Sequence, residues 1–257
     1  MPAGMSYDAL HQLYDAISQR WTVRLLQSLP EDGTPAAGSC YLRHDIDVDP
    51  LQALELAQIE SQRGIVATYH VLANGPIYHP SAPWVCSAIS SIIDLGHEIG
   101  LHVDARALTH HLGSRDSLEA TAGLASFVRG HAAVLEEVLG NRIRSVSFHR
   151  PTLGSLWKDA FVGGLANAYG SGFKHHYISD SSGRWRVGDP IAFLGASKPS
   201  YFQVLTHPMW WSEAGLAVED SIRALFPRVA PKVGIDDPAL FFSLVQEAIG
   251  VPIPAKA

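Results

Sequence analysis

Short apolar runs alternate along the chain with stretches whose apolar residues recur every three or four positions. The first such stretch predicts an opening helix over about residues 6–28, with Ser6 as cap and Leu10, Leu13, Ile17 and Trp21 on one stripe. The run 41–47 (YLRHDID) reads as a strand. Asp49 and Pro50 then open a helix as cap and first residue, with Gln52 completing a capping box, and the helix runs to Arg63 and stops at Gly64. Strands are expected at 65–72, 97–103, 143–149, 175–179 and 201–207. Helices are expected at 84–95, 116–139, 155–168, 217–226 and 237–249.

Strands alternating with helices imply parallel βα units, in a barrel or a doubly wound sheet. The glycine fingerprints of dinucleotide and phosphate-binding loops are missing, and Gly163-Gly164 falls inside a helical pattern. A barrel is therefore the expected architecture. Composition agrees: 257 residues, 47% apolar and 17% charged, suit one domain over 1–257 with a sizeable core. A net charge of −6 argues against nucleic acid as a partner. No apolar run approaches the ~20 residues that span a bilayer, and the N-terminal stretch lacks a secretory pattern. Cys40 and Cys86 are too few for a disulfide framework and are expected to be buried apolar residues. The expectation is a cytoplasmic protein.

Chemistry enters where the strands end. Four apolar runs finish in ionisable residues: Asp45 and Asp47, then His102, His149 and His207. In a parallel barrel those ends meet on one face, where catalytic groups gather. Alternation puts Arg43, Asp45 and Asp47 on one side of their strand and His44, Ile46 and Val48 on the other. Two carboxylates on one face repel unless a cation or shared proton lies between them. With the histidines they suggest an oxygen/nitrogen site for a divalent ion, zinc first. Helix capping does not account for the pair, because Asp49 already serves. His44 and His97 are expected to be structural.

The motifs RHDID (43–47), GHEIGLH (96–102), SFHRP (147–151) and QVLTHP (203–208) stand in the order of the polysaccharide deacetylases, the NodB-homology or carbohydrate esterase family 4-like proteins, which this chain resembles. ISDSSGRW (178–185) and LTHPMWW (205–211) look most like a branch associated with O-antigen and surface-polysaccharide biosynthesis. The resemblance covers about 41–211 and leaves the terminal helices (6–28 and 217–249) outside it. It implies a distorted, NodB-like (β/α) barrel of about seven strands that hydrolyses an N-acetyl group with a bound metal. Carried over by position, Asp45 is the base, Asp47 and His102 are metal ligands, and His207 is the general acid. Arg150 or His149 occupies the region of the arginine that orients the base. Strand geometry alone also allows the roles of Asp45 and Asp47 to be exchanged.

Arg106 stands where the family usually has a second histidine, so the third ligand is assigned to His149, with His110 and His111 as alternatives. Asp180, Trp185 and Trp210 are candidates for shaping the substrate pocket, Asp180 by orienting a basic neighbour and the indoles by stacking on a sugar. The implied partner is an N-acetylated sugar, nucleotide- or lipid-linked. Two other readings use the same residues: a metal-dependent hydrolase of a small non-sugar amide, and a non-catalytic carbohydrate-binding relative. Nothing in the sequence fixes the oligomeric state.

Overall fold

A computed structural model describes residues 4–104, 106, 118–151 and 159–251. Helix α1 (Tyr7–Ser18) starts where Ser6 accepts a hydrogen bond from the Ala9 amide and buries Leu10, Leu13, Tyr14 and Ile17. It ends ten residues before the expected boundary of 28. The β-branched pair Thr22-Val23 instead enters strand β1 (Thr22–Arg24), and the Trp21 indole donates to the Pro199 carbonyl. Strand β2 (Ser39–Ile46) is buried throughout. Asp49 caps α2 (Pro50–Gln62) as expected, but the reciprocal half of the capping box does not form among the described residues. The Gln52 amide is engaged by Tyr7, Glu55 and Arg228 instead.

The chain continues through β3 (Thr68–Leu72), α3 (Pro83–Asp94), β4 (Glu98–Asp104), α4 (Leu118–Leu139) and β5 (Ser145–His149). The helix expected at 155–168 is not seen where the chain is described. Residues 161–167 form an antiparallel hairpin of β6 (Phe161–Val162) and β7 (Leu165–Asn167). Gly163 and Gly164 are its turn, both with positive φ (56° and 76°), which that tight turn requires and which a helix would waste. Strand β8 (Tyr177–Ser179), helix α5 (Pro190–Ser197) and strand β9 (Tyr201–Thr206) follow. The prolines Pro227 and Pro231 lie inside α6 (Val218–Val233), which therefore runs past the expected stop at 226. Burial of Ile222, Leu225, Val229 and Ala230 on one face holds it together across them. Helix α7 (Pro238–Ile249) is the last element.

The strands form one sheet in the order β6-β7-β5-β4-β3-β2-β9-β8, with β1 added on β2. From β7 to β8 every neighbouring pair is parallel, a run of seven strands, and β6 is antiparallel at the edge. In a flat sheet β2 and β5 would stand about 14 Å apart, at ~4.8 Å per strand. Yet Ser147 Oγ on β5 lies 3.0 Å from Asp45 Oδ1 on β2. The Arg43 guanidinium on β2 likewise sits 4.5 Å over the Tyr169 ring, just past β7. The sheet is therefore curled, and because β6 and β8 do not pair, it is an incomplete barrel.

Its interior is layered by register, with Asp45, His70 and Gly100 side by side on β2, β3 and β4. A Cβ on Gly100 would come within 2.4 Å of the His70 ring and 2.5 Å of Ser145 Oγ, so glycine is what lets the layer close. On the outer face Glu60 of α2 accepts from Tyr14, from Tyr69 (2.7 Å) and from His44 Nε2 (2.7 Å). His97 bridges the Ala57 carbonyl and the Ala67 amide. Both histidines thus serve packing, away from the strand-end cluster. Among the described residues, no helix is long and apolar enough to cross a membrane.

Candidate active site

The carboxyl ends of β2, β4, β5 and β9 bring Asp45, Asp47, His102, His149 and His207 to one cavity. Asp47 follows β2 on the face that alternation assigned to it. Its Oδ1 lies 3.1 Å from His102 Nε2 and 3.2 Å from His149 Nδ1, and those two nitrogens are 3.3 Å apart. Neither contact is aligned as a hydrogen bond, so Asp47 Oδ1 is buried without one among the described residues. A buried carboxylate oxygen in that state calls for a cation or a proton.

The far sides of both rings are tied down. Ser147 Oγ donates to Asp45 Oδ1 (3.0 Å) and so accepts from His102 Nδ1 (2.5 Å). His149 Nε2 donates to the Ala248 carbonyl in the last turn of α7 (2.5 Å). The ring nitrogens that face Asp47 are thereby left as the ones able to offer lone pairs. Three donors 3.1–3.3 Å apart fit a face of a tetrahedron with ~2.0–2.1 Å arms, the size of a zinc-type site. Asp47, His102 and His149 are a group able to hold a metal ion.

Without a cation the cluster shares protons. Burial alone would raise Asp47, but His149 and His102 outweigh it and hold the carboxyl far below the usual range. Burial likewise opposes charge on His149, and Asp47 overrides it and raises the imidazole. Metal binding at such a site displaces protons.

Asp45 is held differently. Arg43, two residues earlier on the same strand face, grips it with Nε at 2.9 Å and Nη2 at 2.6 Å, and both residues are buried. Burial would raise the Asp45 carboxyl, and the Arg43 guanidinium outweighs that and keeps it well below the ordinary carboxylate range. Arg43 is itself fixed by the Gln203 side chain (3.0 Å) and the Ala168 carbonyl. The guanidinium on the candidate base is therefore Arg43's. Arg150, assigned that region from the motif, turns to the carbonyls of Gln246 and Glu247 at the end of α7. The signal for Arg43 was present in the i, i+2 spacing. Ser147 and the Ala248 carbonyl carried none, since strand alternation does not say what a ring's far nitrogen meets.

His207, at the end of β9, places Nε2 3.9 Å from Asp47 Oδ2, while its Nδ1 and backbone amide bond to Asp180 at 2.6 and 3.0 Å. Asp180 also accepts from the Trp211 indole (2.9 Å) and is fully buried. Its oxygens are taken up by His207 and Trp211, so it is placed to hold the His207 ring and does not face the cavity. Burial opposes a charge on His207, but Asp180 prevails and pushes it up to about 9. Trp210 lines the cavity, whereas Trp185 packs edge-on to Trp211 (6.2 Å) and lines a different cavity beside α1. Arg106 forms a forked pair with Asp104 next to the cluster. His110 and His111 lie outside the described residues.

No family model matches the chain, and no curated protein matches it. Solved structures do. A Streptococcus mutans CE4 esterase is 15% identical, with a TM-score of 0.49 over 84% of this chain and 89% of that one. A CE4-family pseudoenzyme from Bacillus anthracis is 13% identical, with a TM-score of 0.41 over 74% of this chain. The match spans 60% of that pseudoenzyme's length. A family 4 acetyl xylan esterase from Clostridium thermocellum, solved with a cobalt ion, is 15% identical with a TM-score of 0.38 over 83% of this chain and 93% of that one. These values measure a partial likeness in chain course, and the reading of the site rests on its own geometry.

The Asp180–His207 pair has a direct test. The His207 ring in metal-free protein is expected to titrate near 9, observable by NMR. Its pKa is raised above the unfolded value of ~6.5, so the pair's stabilisation is complete below ~6.5 and fades as pH rises through about 9. Asp180→Asn is expected to return the ring toward the ordinary histidine range. A resonance that does not move in that variant removes Asp180 from this role.

Proposed function

We propose that this chain is a metal-dependent N-deacetylase that acts on an N-acetylated amino sugar, nucleotide- or lipid-linked, in cytoplasmic surface-polysaccharide (O-antigen) assembly. One observation carries the reading. A three-donor metal group, a clamped anionic carboxylate and a carboxylate-held imidazole converge on one cavity, in the order and spacing of the deacetylase motifs. The unpaired Cys40 and Cys86 support a reducing compartment.

Asp47, His102 and His149 would hold the ion, zinc first among candidates for this donor set. When bound, such an ion polarises the acetamide carbonyl and acidifies a water. Asp45, kept ionised by Arg43, takes the proton of the attacking water. His207, charged at neutral pH, gives its proton to the departing amine, which leaves poorly without one. Asp180 maintains both the orientation and the charge of that imidazole.

The test is acetate release from N-acetylated sugar nucleotides by protein loaded with zinc, cobalt or nickel. Turnover that a chelator abolishes and the ion restores is the expected result. Release from small non-sugar amides only would move the activity to another hydrolase class. Saturable sugar binding without turnover, unaffected by chelator, would make the chain a binding protein.

A further inference from the structure

The acids of the cavity are already matched: Asp45 by Arg43, and Asp47 by the three histidines around it. Two further residues in the lining, Arg150 and Arg186, carry positive charge and form no ion pair among the described residues. Arg150 sits at the end of β5 in a left-handed conformation (φ 48°), its guanidinium fixed by the Gln246 and Glu247 carbonyls. Gly250 makes room for it, since a Cβ there would come within 2.9 Å of Nη2. Those partners are neutral, and among the described residues neither Arg150 nor Arg186 has a carboxylate within ion-pair distance. A pre-placed guanidinium without a counter-ion at a cleft is a binding element more than a structural one. Ser181 and Ser182 add hydroxyl groups to the same wall.

We infer that Arg150 and Arg186 form a subsite for a phosphoryl group carried by the substrate next to its sugar. Two guanidinium forks with adjacent hydroxyls offer more donors than the two oxygens of a carboxylate can use, and suit a phosphate or diphosphate. On a chain of net charge −6, such a mouth also steers an anion toward the cleft. The inference rests on the proposed sugar hydrolase but reads a separate property, anion binding.

The experiment is calorimetric titration of inorganic pyrophosphate into the full chain, stripped of metal so that the probe cannot take the ion. Glucuronate serves as the carboxylate comparator. Wild type is expected to bind pyrophosphate at least tenfold more tightly than glucuronate, with affinity falling as salt rises. Arg186→Ala, at an exposed position of the lining, is expected to weaken pyrophosphate at least tenfold, and Arg150→Lys to weaken it as well. Arg144→Ala, exposed at the opposite end of β5, is the control and should bind as wild type. Equal affinity for the two probes, or Arg186→Ala within twofold of wild type, overturns the subsite. Pyrophosphate binding without acetate release on any sugar would keep the subsite and sink the deacetylase. Turnover of a neutral N-acetyl sugar with no pyrophosphate binding would do the reverse.

Discussion

Asp47→Ala is expected to leave the protein folded but unable to retain a stoichiometric metal ion, with turnover down by ~10³-fold or more. The magnitude follows from what is removed. Asp47 Oδ1 is the only negative donor in the described ligand group, and both imidazoles are arranged around it at 3.1 and 3.2 Å. Without it, two neutral rings remain, and the charge that His149 and His207 balance is gone. Elemental analysis beside wild type and His102→Ala checks the first half, and acetate release checks the second. Near-stoichiometric metal in wild type, lost in both variants, is the expected pattern. Metal retained in Asp47→Ala would mean the ion sits elsewhere.

Asp45→Asn should do the opposite with metal while matching the loss of turnover. Asparagine keeps the shape, and its one oxygen can still accept from Arg43 Nε and Ser147; its amide NH2 then faces Arg43 Nη2 in place of a carboxylate oxygen, and the three ligand atoms are untouched. What it removes is the lone pair that takes a proton, so turnover is expected to fall ~10²–10⁴-fold with the metal content of wild type. The pair of variants also decides between the two aspartates. The geometry favours Asp47 as ligand, because the Asp45 oxygens are occupied by Arg43 and Ser147, and Oδ2 is 3.8 Å from His102 Nε2. Equal metal retention in the two variants would cancel that division of labour.

How much of this could be read from the sequence depends on the range of the interactions involved. Period-two alternation put Asp45 and Asp47 on one face and His44 on the other, and that is where they are, since it depends only on the pleat. The ends of β5 and β9 were equally legible, because each apolar run is closed by a histidine, whereas β4 runs two residues past His102 to Asp104. Arg150 shows where such reasoning stops. It neighbours the right strand end, yet which guanidinium reaches Asp45 is set by the curl of the sheet, which puts Arg43 in the interior between Gln203 and Tyr169. Gly163-Gly164 was masked by flanking residues with a helical spacing, although two consecutive glycines fit a hairpin turn better than a helix interior. Trp185 packs against Trp211, whose indole is drawn to Asp180, and both rings line the neighbouring cavity beside α1.

The last turn of α7 holds the far nitrogen of His149 and the guanidinium of Arg150 through three consecutive carbonyls, Gln246, Glu247 and Ala248. Such carbonyls at a helix end are free to accept from outside the helix, and Gln246 does so in addition to accepting from the Gly250 amide that caps it. Helix α7 lies almost a hundred residues beyond the histidine it orients, and it is the last described element to leave the ribosome. The barrel strands can pair earlier, as chains fold from the N-terminus during synthesis. The far-side restraint on His149 therefore depends on the docking of α7, and it forms only after the strands that carry Asp47 and His102 are already in the chain.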